Sequence, residues 1–314
     1  MSLKKLASEY LLYPVPDNLR RNFRPLDAGR LATLEQSIRS NYHQGWRHES
    51  RFSPEAFRQD LHAHLLGRLE IDRKRYIPWL SKTIPLKNAR VVEIGCGTGS
   101  STVALAEQGA TVTGIDIDLG ALRVAEDRCR LYGVQASIIE GNAADLIPEI
   151  RKADPDLIIF YACMEHMLHD ERLDSLRQCH RLLRDGCHIS IVETPNRLWY
   201  FDDHTSRTNF FNWLPDRLAY DYAKRIKRDN FSELYSQYSD ELLTHFLRRG
   251  RGVSFHEIEL ALDESAENHH VVSHMPILLK PFGTDRKFHD LLRKLNPKIN
   301  RGYLLPALNI ILRK

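Results

Sequence analysis

The chain of 314 residues lacks the features that mark secreted, membrane and zinc-ribbon proteins. It has five scattered cysteines and no CxxC pair, so neither a disulfide framework nor a zinc ribbon is expected. No run approaches the roughly 18 consecutive apolar residues of a membrane-spanning helix, and the first residues show no apolar core of a secretory signal. The formal net charge of +4 gives by itself no reason to expect nucleic acid as a partner. We therefore expect a cytoplasmic globular protein without a membrane span.

Residues 1–88 carry helical patterns and no strand signal. Apolar residues recur at three- and four-residue spacing in LDAGRLATLEQSIRSNYH and in the longer stretch that begins at Ser53. Ser53-Pro54-Glu55 has the N-cap, first-turn proline and first-turn acid of a helix start. We predict a helical N-terminal region over residues 1–88.

Short β-rich runs alternate with helical patterns over residues 89–195. These runs are typical of strands that are buried on both faces, and they read RVVEIGCG, ATVTGIDID, ASIIEGN, PDLIIFYAC and CHISIVET. Strands that alternate with helices imply right-handed crossovers. The pattern therefore predicts an α/β fold with a doubly wound parallel sheet.

The remaining chain divides into two further parts. Residues 196–250 are rich in aromatic residues and then amphipathic, and we predict an inserted helical and aromatic lid that is mobile and covers a ligand. A rigid satellite core under a long connection is the simpler alternative. Residues 251–314 are predicted to complete the sheet, with VSFHEIELAL and LNIILRK as strands. Eight Lys and Arg against two Asp give residues 285–314 a local net charge of +6. A solvated helix face is the simpler interpretation of this charge, and a dock for an acidic or phosphorylated partner is the alternative.

The most informative segment is VVEIGCGTGSST, in which a buried strand runs into a glycine-rich loop and then into a helix. Gly95, Gly97 and Gly99 let the backbone approach a ligand closely, and the helix N-terminus offers unpaired N–H groups. Asp116 ends the next strand about 20 residues later, where a carboxylate can accept both hydroxyls of a ribose. Because the spacing is GxGxG and not the GxGxxG of dinucleotide sites, an NAD-dependent oxidoreductase is only an alternative.

At these residues the sequence resembles the class I S-adenosylmethionine-dependent methyltransferases. The resemblance covers residues 89–195 and the terminal LNIILRK, and it rests on four features in order: the glycine loop, the acidic strand end, the EGNAADL turn and DLIIFYACMEH. It implies a Rossmann-like, mostly parallel sheet of the seven-stranded type with helices on both faces. It also implies S-adenosyl-L-methionine as the cofactor and S-adenosyl-L-homocysteine as the product.

The resemblance further implies which residues hold the cofactor. Glu93 and the backbone at Gly95 to Gly97 would lie against the methionine portion and the ribose. Asp116 would hold the ribose hydroxyls and Ile117 would flank the adenine. Asn142 stands where the family often has an acid for the adenine amino group, with Asp145 as the nearby alternative. The predicted cofactor-binding residues are Glu93, Gly95, Cys96, Gly97, Gly99, Asp116, Ile117, Asn142, Ala143 and Tyr161.

Two segments after the fourth and fifth predicted strands carry candidate catalytic groups. Cys163-Met164-Glu165-His166 matches the Glu-His that many family members have there, and His166 is a candidate base. A histidine that only bonds the backbone at a helix start is the simpler alternative for His166. The second segment is a Thr-Pro-Asn-Arg turn with a His-Thr pair beyond it, which resembles bacterial methyltransferases of sugars and other small polar molecules. We predict that His204, ahead of His166, is the general base.

The second segment also supplies the predicted acceptor-binding residues, which are Asn196, Arg197, Trp199 and Asp203. We predict no metal at this site, because the run Asp202-Asp203-His204 fits no defined metal motif, and a divalent metal held by this run is the less favoured alternative. The histidines at positions 269, 270 and 274 are better explained by a polar loop near a strand.

Together these patterns predict an S-adenosylmethionine-dependent methyltransferase that methylates an oxygen of a small-molecule or glycan-like acceptor. A nucleic-acid methyltransferase is less favoured, because FYACMEH replaces the Asn/Asp-Pro-Pro-Tyr/Phe signature and no separate basic, aromatic module is present. A catalytically silent cofactor-binding protein is the remaining alternative.

Overall fold

Seven strands form one sheet in the computed structural model, which describes residues 15–228, 231–277, 279–280 and 282–314. In chain order the strands are β1 (Arg90–Ile94), β2 (Thr111–Asp116), β3 (Ala136–Glu140), β4 (Leu157–Tyr161), β5 (His188–Pro195), β6 (Val271–His274) and β7 (Ala307–Arg313). Their order across the sheet is β3-β2-β1-β4-β5-β7-β6. β2 runs parallel to β1 and β3, whereas β7 runs antiparallel to β5 and β6. The predicted α/β fold with a mostly parallel sheet is confirmed.

The strands in the middle of the sheet are buried on both faces. Val91 and Val92 of β1 point to opposite faces and are 1% and 0% exposed. Residues 157–160 of β4 are likewise all buried. This burial explains why these runs are continuously apolar in sequence and do not alternate with polar residues.

The chain divides into two compact units, and the first is Leu11–Ile159. Its helices are α1 (Asp17–Arg20), α2 (Ala28–Ser37), α3 (Pro54–His62), α4 (Arg68–Ile71), α5 (Ile77–Leu80), α6 (Ser100–Glu107), α7 (Leu119–Tyr132) and α8 (Ile147–Lys152). The Oγ of Ser53 accepts from the N–H of Ala56 at 3.2 Å, which is the predicted N-cap of α3. Within the described part of residues 1–88 the regular structure is helical, as predicted. Residues 1–14 lie outside the described residues.

The second unit contains Phe160–Lys314. Its helices are α9 (His169–Leu182), α10 (Asp216–Ala223), α11 (Phe231–Leu234), α12 (Asp240–Leu247), α13 (Phe255–Leu262) and α14 (Thr284–Leu295). The basic residues Lys287, Arg293 and Lys294 of α14 are exposed, which agrees with a solvated helix face. The terminal strand predicted at LNIILRK is β7.

The prediction of a strand at VSFHEIELAL is wrong, because this segment forms α13. The N–H of Ser254 donates to Glu257 Oε1 at 3.2 Å in a capping box, which satisfies a free donor at the helix start. Phe255, Ile258 and Ala261 are buried at three-residue spacing, so they share one helix face. The sixth strand is instead β6, in the segment that the sequence suggested to be a polar loop.

The predicted lid, residues 196–250, packs a small hydrophobic core of its own. Helices α10, α11 and α12 supply most of it, and its buried members are Phe211, Ala219, Tyr220, Ala223, Ile226, Phe231, Tyr235 and Phe246. Aromatic rings that the sequence suggested to cover a ligand therefore pack in part against one another. Residues 229 and 230 lie outside the described residues, and the mobility of the segment stays a prediction.

No helix among the described residues is long and apolar enough to span a membrane. The four-part division of the chain at residues 88, 195 and 250 stays a prediction.

Candidate active site

The glycine loop of the first unit connects β1 to α6 through three left-handed backbone conformations. Gly97 and Gly99 have φ of 51° and 77°. A Cβ on Gly99 would lie 2.8 Å from the Cα of Ala125 in α7, so helix packing requires glycine there. A Cβ on Gly97 would meet no atom within 4 Å. Gly99 therefore serves packing, whereas Gly97 borders the open space in which a ligand can approach the loop.

The carboxylate of Asp116 holds the middle of this loop. Its Oδ2 accepts from the N–H of Gly97 at 2.8 Å, and its Oδ1 accepts from the N–H of Asp118 at 2.9 Å. Burial raises the pKa of Asp116, while the backbone N–H donors act in the opposite direction. Each carboxylate oxygen keeps a further lone pair for a hydroxyl donor. Oδ1 of Asp118 accepts from the N–H of Ala121 at 3.0 Å, so Asp118 is the N-cap of α7.

Glu93 lies under the loop with no exposed surface. Its Oε1 accepts from the hydroxyl of Ser101, and its Oε2 accepts from the hydroxyl of Thr102 at 2.6 Å. Burial raises the pKa of the Glu93 carboxyl. In this structure Glu93 therefore anchors the first turn of α6, and its predicted contact with the cofactor stays a prediction.

The other predicted cofactor residues differ in how accessible they are. Ile117 is 64% exposed directly after β2, where its side chain is free to contact a ligand. Cys96 and Ala143 are buried. The Oδ1 of Asn142 accepts from the N–H of Ala144 at 3.1 Å, so the amide shapes its own turn. Tyr161 belongs to the second unit and is half-buried at the end of β4.

Two residues that the sequence analysis did not single out also shape the loop. Arg128 of α7 is fully buried and donates through Nε to the carbonyl of Thr98 at 2.7 Å. The hydroxyl of Ser100 is buried at the start of α6 without a hydrogen-bond partner among the described residues. An unpartnered polar atom at the start of α6 fits a loop that is built for a polar ligand. No local sequence signal identifies Arg128, because its partners lie at distant positions.

A polar cluster of three side chains lies in the second unit, and we call Glu165, His166 and His204 the Glu-His-His cluster. Glu165 and His166 form a short helical turn (Met164–His166) shortly after β4. Oε1 of Glu165 lies 3.9 Å from Nε2 of His166 and 3.8 Å from Nε2 of His204. The imidazole centroids are 5.1 Å apart. The structure thus brings together both predicted catalytic histidines, which are separated by 38 positions in the sequence.

Burial sets the electrostatics of this cluster. Burial raises the pKa of Glu165, which is 1% exposed. Burial also lowers the pKa of His204 to about 3, and the charge of His166 acts in the same direction. His204 is therefore neutral at physiological pH. Its role as general base stays a prediction, as does that of His166.

Two residues, one directly after β4 and one in β5, have strained backbone conformations. Ala162 and Glu193 have φ of 45° and 55°, which are left-handed conformations that residues other than glycine rarely adopt. Ala162 directly follows β4 and Glu193 lies in β5, and the N–H of Ala162 donates to the carbonyl of Val192 in β5 at 2.9 Å. Strain of this kind concentrates at functional sites.

The run Asp202-Asp203-His204 does not act as one ligand set. The carboxylate of Asp202 is buried and accepts from the N–H groups of His204 and Thr205, at 3.2 and 3.0 Å, so it builds the turn that carries His204. His269 uses one ring nitrogen on the hydroxyl of Tyr303 and the other on a backbone carbonyl. Among the described residues, the Glu-His-His cluster is the one group of three such side chains whose ligand atoms lie close together.

The predicted acceptor-binding residues separate into buried and accessible ones. Asn196 is 1% exposed, and its Nδ2 donates to the carbonyls of Tyr303 and Leu305, both at 2.8 Å. Trp199 is buried among aromatic rings. Arg197 keeps a buried Nη1 without a hydrogen-bond partner among the described residues, and its Nη2 lies 3.6 Å from Oδ1 of Asp216.

The known proteins that this chain resembles in sequence are methyltransferases. A family model described as a methyltransferase domain matches residues 91–186. The chain is 29% identical over 188 residues to a ubiquinone biosynthesis O-methyltransferase of Ralstonia nicotianae, which covers 59% of this chain and 71% of that protein. It is 30% identical over 188 residues to the protein of the same name from Pseudomonas syringae pv. tomato, covering 59% and 72%.

Solved structures resemble the chain more distantly. Magnesium protoporphyrin IX methyltransferase from Synechocystis PCC 6803, with S-adenosylmethionine bound, is 22% identical. The match covers 55% of this chain and 79% of that one, with a TM-score of 0.39.

Proposed function

Because the chain belongs to the class I S-adenosylmethionine-dependent methyltransferases, we propose that it transfers the methyl group to an oxygen atom of a small-molecule acceptor. S-Adenosylmethionine is its cofactor. The observation that carries the proposal is the Glu-His-His cluster, which provides polar groups of the kind that assist the loss of a hydroxyl proton. The relatives named ubiquinone biosynthesis O-methyltransferase support oxygen as the methylated atom.

The first unit supplies the groups for the cofactor. The open space at Gly97, the free lone pairs of Asp116 and the exposed Ile117 fit the loop, ribose and adenine contacts that this family uses. Bound there, the cofactor supplies an electrophilic methyl group on a sulfonium. We assign Gly95, Gly97, Asp116 and Ile117 to cofactor binding.

Methyl transfer requires little covalent participation by the protein. The acceptor oxygen forms a bond to the methyl carbon while the carbon–sulfur bond breaks, the electron pair stays on sulfur, and the hydroxyl proton is released. The protein must align the oxygen in line with that bond, exclude water and favour loss of the proton. We assign the last task to the Glu-His-His cluster, with His204 and His166 at the acceptor oxygen.

Arg197 and Asp203 are our candidates for binding the acceptor, since both are partly accessible. A small hydroxylated or glycan-like molecule is the acceptor class that we propose. We also infer that the protein works in the cytoplasm, since its five cysteines form no disulfide and thiols stay reduced there.

A methyl-transfer assay with isotopically labelled S-adenosylmethionine tests the proposal. Phenols, sugars and carboxylic acids are offered as acceptors, with the corresponding amines as matched controls. We expect labelled ether or ester products and stoichiometric S-adenosylhomocysteine. Label that appears only on amines would contradict oxygen as the methylated atom.

A further inference from the structure

We propose that Glu165, His166 and His204 form a binding site for one divalent transition-metal cation, which binds and activates the acceptor oxygen. The catalytic part of this proposal rests on the proposed function, whereas the binding part does not. It departs from the sequence-based prediction of a site without metal.

The first reason is that three ligand atoms converge. Oε1 of Glu165 and the Nε2 atoms of His166 and His204 all lie within 4.8 Å of one another. A cation about 2.0–2.2 Å from each ligand atom sets those atoms roughly 3–3.5 Å apart. Small side-chain rotations therefore close the observed separations of 3.8 and 3.9 Å around an ion.

The second reason is that the far side of each imidazole is already occupied. Nδ1 of His166 donates to the carbonyl of Arg248 at 2.9 Å. Nδ1 of His204 lies 2.9 Å from the hydroxyl of Thr205, which itself donates to the carbonyl of Gly250 at 2.7 Å and therefore accepts from the imidazole. Both rings thus carry their proton on Nδ1 and present the lone pair of Nε2 to the cluster. Metal-binding histidines use this outer-shell arrangement.

The third reason is an incompletely satisfied buried carboxylate. Oε2 of Glu165 is buried and has no hydrogen-bond partner among the described residues. The positive charge of Arg172 acts on Glu165, and the carboxylate of Glu193 adds a negative charge in the opposite direction. A buried carboxylate oxygen without a hydrogen-bond partner is costly, and a cation bound at Glu165 would offset that cost.

The ligand set indicates which cation fits. Two imidazoles and one carboxylate favour Mn²⁺, Fe²⁺, Co²⁺ or Zn²⁺ over Mg²⁺ and Ca²⁺, which prefer oxygen ligands. Three protein ligands leave at least one coordination position open for the oxygen of the acceptor. A hydroxyl bound to the cation loses its proton to water more easily, so no side chain has to act as a strong base.

Titration of tag-free, chelator-stripped protein with Co²⁺ tests the site directly. We expect one Co²⁺ per chain by calorimetry, with visible absorption bands of nitrogen and oxygen coordination. Glu165→Gln and His204→Ala should each weaken binding at least about 10-fold, since even outer-shell changes have effects of that size. The matched control is His274→Ala, which removes a half-buried histidine of β6 and should leave Co²⁺ affinity unchanged.

Thr205→Val is a second variant, which keeps all three ligands and removes the hydroxyl that orients His204. It should weaken Co²⁺ binding about 10–100-fold. Thermal stabilisation by S-adenosylhomocysteine reports whether each variant is folded. The site is contradicted if wild-type protein shows no saturable Co²⁺ or Mn²⁺ binding, or if His204→Ala binds Co²⁺ as tightly as wild type.

Failure of the proposed function gives a different result. Saturable Co²⁺ binding without a methylated product from any offered acceptor contradicts the proposed function and supports the site. Methyl transfer at the full rate after exhaustive chelation, without Co²⁺ binding, contradicts the site and supports the proposed function.

Discussion

The carboxylate of Asp116 accepts a hydrogen bond from the backbone N–H of Gly97 across 2.8 Å, so the residue that ends β2 also fixes the middle of the glycine loop. The hydrogen bond between Asp116 and Gly97 would therefore affect two parts of a bound cofactor. It positions the carboxylate that would hold the ribose, and it positions the part of the loop that a ligand would approach.

Replacing Asp116 by alanine should weaken the binding of S-adenosylhomocysteine by roughly 1–3 kcal/mol, the usual cost of losing hydrogen bonds to a charged group. The measurement is thermal stabilisation by S-adenosylhomocysteine, with NAD as a ligand that should not stabilise the protein. Asp174→Ala is the control, because that side chain is exposed on α9 and has no assigned role in cofactor binding. Equal stabilisation of wild type and Asp116→Ala would contradict the assignment.

Gly97→Ala and Gly99→Ala should separate ligand binding from packing. Both variants place alanine at a left-handed position, which costs about 1–2 kcal/mol. Gly99→Ala adds a clash with Ala125 and should lose about 1–3 kcal/mol more in urea unfolding. Gly97→Ala has space for its methyl group but fills the approach to the loop, so it should chiefly lose S-adenosylhomocysteine affinity. Equal losses of stability in the two variants would contradict this division.

The ion pair between His169 and Asp216 should make stability depend on pH. Hydrogen bonds to Asp216 and Glu257 raise the pKa of His169 to about 9. Because the folded pKa lies above the unfolded value, His169 stabilises fully below about pH 6.5 and loses its contribution as pH rises toward 9. The difference in unfolding midpoint between wild type and His169→Gln should therefore shrink over that range. The exposed His270 provides the control variant His270→Gln, and a difference that does not change with pH would refute the expectation.

His204→Ala and His166→Ala should lower methyl transfer about 10²–10⁴-fold, the range for losing assistance to proton transfer. The affinity for S-adenosylhomocysteine should stay nearly unchanged in both variants. Turnover is measured at saturating cofactor with the best acceptor found. Near-normal rates in both variants would exclude a catalytic role for the cluster.

Amide hydrogen exchange tests whether residues 196–250 close over an acceptor. The segment has its own core, so exchange at the buried Phe211 and Phe246 should be slow in every state. Exchange in the turn from Asp202 to Ser206 should slow further when S-adenosylhomocysteine and acceptor are both bound. Unchanged exchange in that turn would show that the segment is only scaffold.

The glycine loop could be predicted from sequence because its signals are local. The left-handed φ values at Gly97 and Gly99 and the N-cap of Asp118 each depend on neighbours within a few positions. The alternation of buried strands and helices likewise predicts the parallel sheet. Local chemistry thus determines that the chain builds a glycine-rich loop at the end of a strand.

The same local signals failed where burial decided the outcome. VSFHEIELAL has β-branched and aromatic residues that suit a strand, yet the capping box at Ser254 and the apolar face of Phe255 and Ile258 make it a helix. The acceptor-binding role of Asn196 stays a prediction, and in this structure its amide is hydrogen-bonded to the backbone near β7.

By itself, the sequence determined the fold class, the cofactor and the two histidines worth testing. Only the tertiary structure decided that Glu165 joins His166 and His204, that both Nδ1 atoms are occupied, and that one carboxylate oxygen stays unpartnered. The physical reason is that such a cluster depends on hydrogen bonds and burial between residues far apart in the chain. Spacing along a sequence carries no information about which lone pairs face one another.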